Sequence, residues 1–170
     1  ISLQPTVNLR RSVEAADGAE AQAGFTVIRA GFDEFPEGRI QTLTHLTPEH
    51  VWQDRFIAKD NAITGLSEAV FSVTDPEASA ARLAIFTGRT PSATEGGLEI
   101  PLDRGKLSII RSDGTGPTIT AVGLVSRDLA QTRAYFLKWN ISLAIDSAER
   151  LVIAPAEALG AALVITPAGR

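Results

Sequence analysis

The sequence predicts an α+β protein built from tandem β-α-β-β-β modules. The modules form curved antiparallel or mixed sheets, with a partial third module at the N-terminus. Three observations predict this. The stretch 66–165 matches itself at an offset of 53 residues, with Asp75 falling on Asp128. Each copy opens with an apolar, β-prone segment that runs into an Asp and an Ala-rich helical segment. Residues 7–46 carry three further strand-like segments without a helix before them. The corresponding divisions are 1–62, 63–113 and 114–170.

The elements follow in order. Residues 7–13 (VNLRRSV) are rich in β-formers, and Asp17-Gly18 is a hairpin signal because both residues accept positive φ. Residues 23–30 (AGFTVIRA) return as a strand, 32–39 read as a turn around Pro36 and Gly38, and 40–46 (IQTLTHL) form a third strand. Thr47-Pro48-Glu49 fits a helix start, with Thr47 as N-cap and Pro48 at the first helical position, so that 49–57 is one short helix or turn. Residues 66–73 (LSEAVFSV) make a strand. Asp75 and Pro76 open a helix whose apolar stripe is Ala78, Ala81, Leu83, Ile85 and Phe86, and Gly88 stops it. Strands are expected at 96–101 and 106–111, and Ser112 to Pro117 (SDGTGP) reads as a linker. The second copy repeats the pattern: a strand at 119–126, Asp128 capping a helix over 129–139, Asn140 ending it, and short strands at 141–145, 150–154 and 162–166.

The offset keeps apolar phase through both strand and helix: Leu66 meets Ile119, Leu83 meets Phe136, Leu98 meets Leu151 and Ile100 meets Ile153. A slip of one residue would turn each strand over, so retained phase is a strong sign of a shared unit. Only the last strand needs an insertion, within the loop 155–160. The three leading strands look like the β-β-β tail of one more such unit. The chain begins at Ile1 and contains no methionine, which fits a start inside a module.

With 170 residues, 44% hydrophobic and 21% charged, the chain can bury a core and lacks a disordered composition. Its net charge of −4 and lack of a basic, aromatic-laced stripe argue against nucleic acid or an anionic membrane as partner. There is no cysteine, hence no disulfide and no thiolate ligand or nucleophile, and a reducing cytoplasm fits. No apolar run approaches the roughly 18 residues of a membrane span, and no signal peptide is visible. Phosphate loops, nucleophile elbows and H-E-x-x-H are missing from the sequence. Glu95, Glu99 and Asp103 read as exposed charges near a turn, Asp146, Glu149 and Arg150 as a hairpin turn, and Phe136 and Trp139 as core.

Residues 38–52 (GRIQTLTHLTPEHVW), followed by Gly65-Leu66-Ser67-Glu68-Ala69-Val70, resemble the bacterial glyoxalase-like domain proteins of the vicinal oxygen chelate superfamily. That superfamily holds the glyoxalases, bleomycin-resistance proteins and extradiol dioxygenases, and the resemblance covers residues 38–110 well. It implies that two modules pair into a cup holding a divalent metal (Zn, Ni, Fe or Mn), which acts as a Lewis acid on a chelating substrate. It implies a His early in a module's first strand and a Glu in its last strand as ligands. Here the first-strand position falls on Glu68 in one copy and Ala121 in the other. The last strands carry Ile109 and Val164 and no carboxylate. The two complete copies therefore look metal-free. Glu68 is a candidate oxygen ligand, or alternatively an ion-paired strand residue.

His45 is the leading candidate for a metal ligand or general acid/base, because it ends the last strand of the partial module and imidazole suits both tasks. The alternative is a structural histidine that caps the turn before Thr47. In that strand Gln41, Leu43 and His45 share a face, so Gln41 is a pocket candidate, together with Trp52. His50 is expected on the surface. The functions in view are a metal-dependent lyase or dioxygenase-type enzyme on a small vicinal-oxygen substrate, a metal-free small-molecule-binding module of the drug-sequestering type, or a structural pair whose site lies elsewhere. The expected partners are a small-molecule ligand and, because the partial module leaves a sheet edge open, a second copy or a missing N-terminal segment.

Overall fold

The structure is a computed structural model describing residues 1–112, 114 and 117–169. Residues 1–58 and 59–170 form two compact units.

The N-terminal unit is an antiparallel meander of β1 (Val7–Glu14), β2 (Glu20–Arg29) and β3 (Gln41–His45). The β1–β2 turn follows from Asp17 and Gly18. The Asp17 carboxylate accepts the Ala19 N–H at 3.0 Å, Gly18 takes φ +86, and the Ala15 N–H closes on the Ala19 carbonyl at 2.8 Å. After β3 come the four-residue helix α1 (Pro48–Val51) and a separate 3-10 turn, Asp54–Phe56, where the sequence suggests one element. Thr47 does stand before the first helical residue but does not cap it. Its hydroxyl instead accepts the Gly24 N–H at 2.9 Å, which ties the α1 entry to β2. The buried Gln53 amide donates to the Glu14 and His50 carbonyls at 2.8 and 2.9 Å, and Arg55 binds the Glu14 carboxylate, so the turn is pinned to the end of β1.

The C-terminal unit consists of two β-α-β-β-β modules in one eight-stranded sheet. The first is β4 (Ile63–Val73), α2 (Pro76–Thr87), β5 (Ser92–Thr94), β6 (Gly97–Pro101) and β7 (Lys106–Arg111). The second is β8 (Thr118–Ser126), α3 (Leu129–Lys138), β9 (Ile145–Asp146), β10 (Leu151–Ile153) and β11 (Ala162–Pro167). β5 is a strand that the sequence reading lacks, and the expected strand at 141–145 shrinks to two residues. Of the expected linker Ser112 to Pro117, Asp113, Thr115 and Gly116 lie outside the described residues.

Helix ends obey local chemistry. The Asp75 carboxylate accepts the Ala78 N–H, and Asp128 accepts those of Ala130 and Gln131. Gly88, at φ +67, closes α2 with an N–H to the Ala84 carbonyl. The face that α2 buries is Pro76, Ser79, Ala80 and Leu83; of the stripe expected from the sequence Leu83 is buried and Ala78 and Phe86 are half-buried, while Ala81 is exposed and Ile85 is 70% exposed. The i, i+3, i+4, i+7 spacing from Pro76 selects that face, and no apolar preference at Ala81 or Ile85 can rotate a helix anchored by its Asp75 cap. Phe136 is core as expected, packed with Leu151, Ile153 and Ile165, but Trp139 at the end of α3 is 59% exposed.

The sheet order is β5-β6-β7-β4-β8-β11-β10-β9. Each module closes on itself through a parallel pair, β4–β7 and β8–β11, and the modules join through the antiparallel pair β4–β8. In that pair Ala69 faces Val122, its own counterpart at the 53-residue offset, while Glu68–Gly123 and Val70–Ala121 exchange with each other. The register is that of a local two-fold axis through Ala69 and Val122. No helix among the described residues is long and apolar enough to cross a membrane.

Close approach at this seam constrains Gly123, where an added Cβ would lie 2.8 Å from the Glu68 Cβ and 3.1 Å from its backbone nitrogen. Gly123→Ala is expected to cost about 1–3 kcal/mol by overpacking. Gly65→Ala, whose Cβ would meet nothing within 4 Å, is expected to stay near neutral. Urea unfolding of both variants checks this.

Candidate functional site

Strand alternation sorts the side chains of the first module onto two faces. Phe71, Val73, Ile100 and Ile109 are buried on the face that α2 covers. Glu68, Lys106, Ser108 and Glu99 lie on the other, in register as Glu68–Lys106 and Glu99–Ser108. They form one connected cluster. The Lys106 ammonium is 2.5 Å from the Glu99 carboxylate and 3.8 Å from that of Glu68, and the Ser108 hydroxyl donates to Glu68. Glu99 is therefore a half-buried ion-pair partner and not the free exposed charge expected from its place near a turn. Hydrogen bonding to Glu99 holds the Lys106 ammonium above the usual lysine range, with the charge of Glu68 adding and burial opposing.

Beside this cluster, at the β6–β7 turn, is a cavity of about 320 Å³. Leu66, Ala69, Leu102, Leu107 and Val122 supply its apolar lining, and Glu68, Arg104 and Lys106 supply its charge.

The N-terminal unit holds the remaining candidates. His45, at the end of β3, packs edge-on against Phe25 at 5.2 Å and against Trp52 at 5.5 Å. Its buried Nδ1 has no hydrogen-bond partner among the described residues. Gln41 accepts from the Arg29 guanidinium at 3.3 Å and lines a different part of the same strand face. His50 is half-buried with its Nε2 3.9 Å from Glu49, rather than freely on the surface. The structure thus brings His45 and Trp52 together, while Glu68 belongs to the other unit. No group of three or more His, Asp or Glu side chains that could hold a metal ion occurs among the described residues.

No family model matches the chain, and no curated protein matches it by sequence. Solved structures do. Methylmalonyl-CoA epimerase from Mycobacterium tuberculosis aligns at TM-score 0.56 and 15% identity over 68% of this chain and 95% of its own. A hypothetical protein from Staphylococcus aureus aligns at TM-score 0.66 and 6% identity, over 99% of this chain and 57% of its own. Homoprotocatechuate 2,3-dioxygenase from Arthrobacter globiformis aligns at 0.53 and 16%, over 96% and 54%. The chain shares its fold with these proteins. The chain spans little more than half the length of the last two.

The resemblance read from the sequence implies a metal centre in paired modules, and the donor set of the C-terminal unit does not fit one. The first-strand positions are Glu68 and Ala121. On the last strands Ile109, which the sequence suggests as a lost ligand, is fully buried on the helix side, and the residues facing Glu68 are Lys106 and Ser108. The one carboxylate at a ligand position already faces an ammonium, which repels a divalent cation. Sequence reasoning missed Lys106 and Glu99. Their spacing of seven residues across a turn carried a signal only if the β6–β7 register was known, which pairs Pro101 with Lys106.

A lysine whose folded-state value is raised contributes stability that is fully present below its unfolded value, near 10.5, and is lost as pH rises through the folded value. Lys106→Met is expected to lower stability by about 1 kcal/mol after solvent screening. That deficit should hold steady through neutral pH and shrink above about pH 10, as read by urea unfolding across the range.

Proposed function

We propose that the C-terminal pair of modules is a metal-free small-molecule-binding module, with Lys106 supplying the positive charge that a metal supplies in other proteins of this fold. One observation carries the reading: the Lys106 ammonium, on the module's last strand, lies between Glu68 on its first strand and Glu99 on β6. The ligand it suits is a small, mostly apolar molecule entering the cavity of about 320 Å³ beside Leu66 and Leu102, since its size and lining match those of small-ligand pockets. The drug-sequestering members of the superfamily are the nearest functional type.

A second reading has its own support. His45 keeps a buried Nδ1 without a partner, and buried polar atoms are ordinarily satisfied. If the N-terminal unit is the β-β-β tail of another module, His45 is its one candidate ligand for a metal-dependent reaction of the kind named for the dioxygenase. Its ring nitrogen would hold the ion, and the ion would supply Lewis acidity.

One experiment separates the two. The purified chain is expected to carry no stoichiometric divalent metal by mass spectrometry and to bind 1-naphthol, with Leu66→Asp weakening that binding about ten-fold or more. One metal ion per chain, removed by His45→Ala or Glu68→Gln, would overturn the metal-free reading.

A further inference from the structure

The three strands of the N-terminal unit present a face unlike the rest of the chain. Leu9 and Arg11 on β1, Phe25, Val27 and Arg29 on β2, and Gln41 and Leu43 on β3 share it. The register sets Leu9 against Phe25, Val27 against Leu43 and Arg29 against Gln41. Together with Arg39 they line a cavity of about 530 Å³. The opposite face is polar and closed on itself by Asn8–Thr26 and Ser12–Gln22 hydrogen bonds. The lining therefore holds three arginines and no carboxylate, in a chain with 20 acidic residues against 16 basic ones.

We propose that this face binds a small molecule that joins an oxyanion to a flat apolar body. The floor is apolar: Val27 is 1% exposed, and Phe25 and Leu43 flank it. Guanidinium groups ring that floor, and their planar forks match carboxylate or phosphate oxygens better than any other side chain does. Gln41 orients one of them, its Oε1 accepting from the Arg29 Nε at 3.3 Å, which turns the remaining donors of that guanidinium to other acceptors. Three cations sharing a lining repel one another, and a bound anion relieves that repulsion, so charge favours occupancy. A site of this volume lies within the range of small-ligand pockets. The inference stands apart from the metal-free reading of the other unit, because no residue is shared.

The test uses the whole chain and calorimetric titration with 2-naphthoate, its neutral counterpart 2-naphthalenemethanol, and inorganic phosphate. Naphthoate is expected to bind about ten-fold or more tightly than either. Arg11→Gln and Arg39→Gln, both at exposed positions where the fold tolerates substitution, should each weaken naphthoate about three- to ten-fold. Arg10→Gln, on the same strand but the opposite face, should leave binding unchanged. Equal binding of the alcohol would overturn the charge requirement, and equal binding of phosphate would overturn the apolar one. Equal loss in Arg10→Gln and Arg11→Gln would reduce the effect to net charge and overturn the site.

Discussion

The antiparallel pairing of β4 with β8 is the constraint on which the C-terminal unit depends. Each module on its own is a parallel pair flanked by short antiparallel strands, and each would expose one long, apolar edge. Joining the two edges around Ala69 and Val122 removes both and makes a single sheet from two half-sheets. The local two-fold symmetry that results is the reason Gly123 must lack a side chain: it lies opposite Glu68, where β4 departs from regular register between Leu66 and Glu68. It also places both helices so that each covers its own module. Leu83 then fills one core, and Phe136, at the matching offset, fills the other.

Much of this was legible because it is local. Asp75, Pro76 and Gly88 fix the ends of α2, Asp128 fixes the start of α3, and Asp17-Gly18 fixes a hairpin, each through bonds that span only a few residues. The repeat was legible because strand and helix phase survive the offset of 53 residues. What was not legible depends on partners distant in sequence. Ile85 is exposed because it lies off the face that α2 turns to the sheet, and Trp139 is exposed at the C-terminal end of α3. Thr47 has the chemistry of a cap but finds a better use on β2, whose position is set by the hairpin before it. The same limit hid Lys106. A lysine and two glutamates on three strands form a cluster only when the register of β4, β6 and β7 is known.

The candidate residues divide in the same way. His45 and Trp52 are near in sequence and near in space, so their pairing was accessible from the helix start between them. Alternation alone places Gln41 on the face of Leu43 and His45, but its contact there is with Arg29, a residue on the neighbouring strand. Glu68 admits two roles on sequence, oxygen ligand or ion-paired strand residue, and its contacts with Ser108 and Lys106 favour the second.

The two copies differ most where the cluster lies. The counterparts of Glu68 and Lys106 are Ala121 and Ala162, which face each other across β8 and β11. Those of Glu99 and Ser108 are Val152 and Val164, which face each other across β10 and β11. All four polar positions of one module are thus apolar in the other. Burial energetics account for the all-or-none pattern. A half-buried carboxylate beside a lysine is tolerable, but either one left alone carries an uncompensated charge, so intermediate combinations cost more than either end state. The polar cluster in the first module is then a unit in its own right, and its retention by one copy alone makes an otherwise symmetric sheet chemically one-sided. The cavity that borders the cluster is lined by Leu66, Leu102 and Val122 together with Glu68 and Lys106, so it draws on both modules and on that asymmetry.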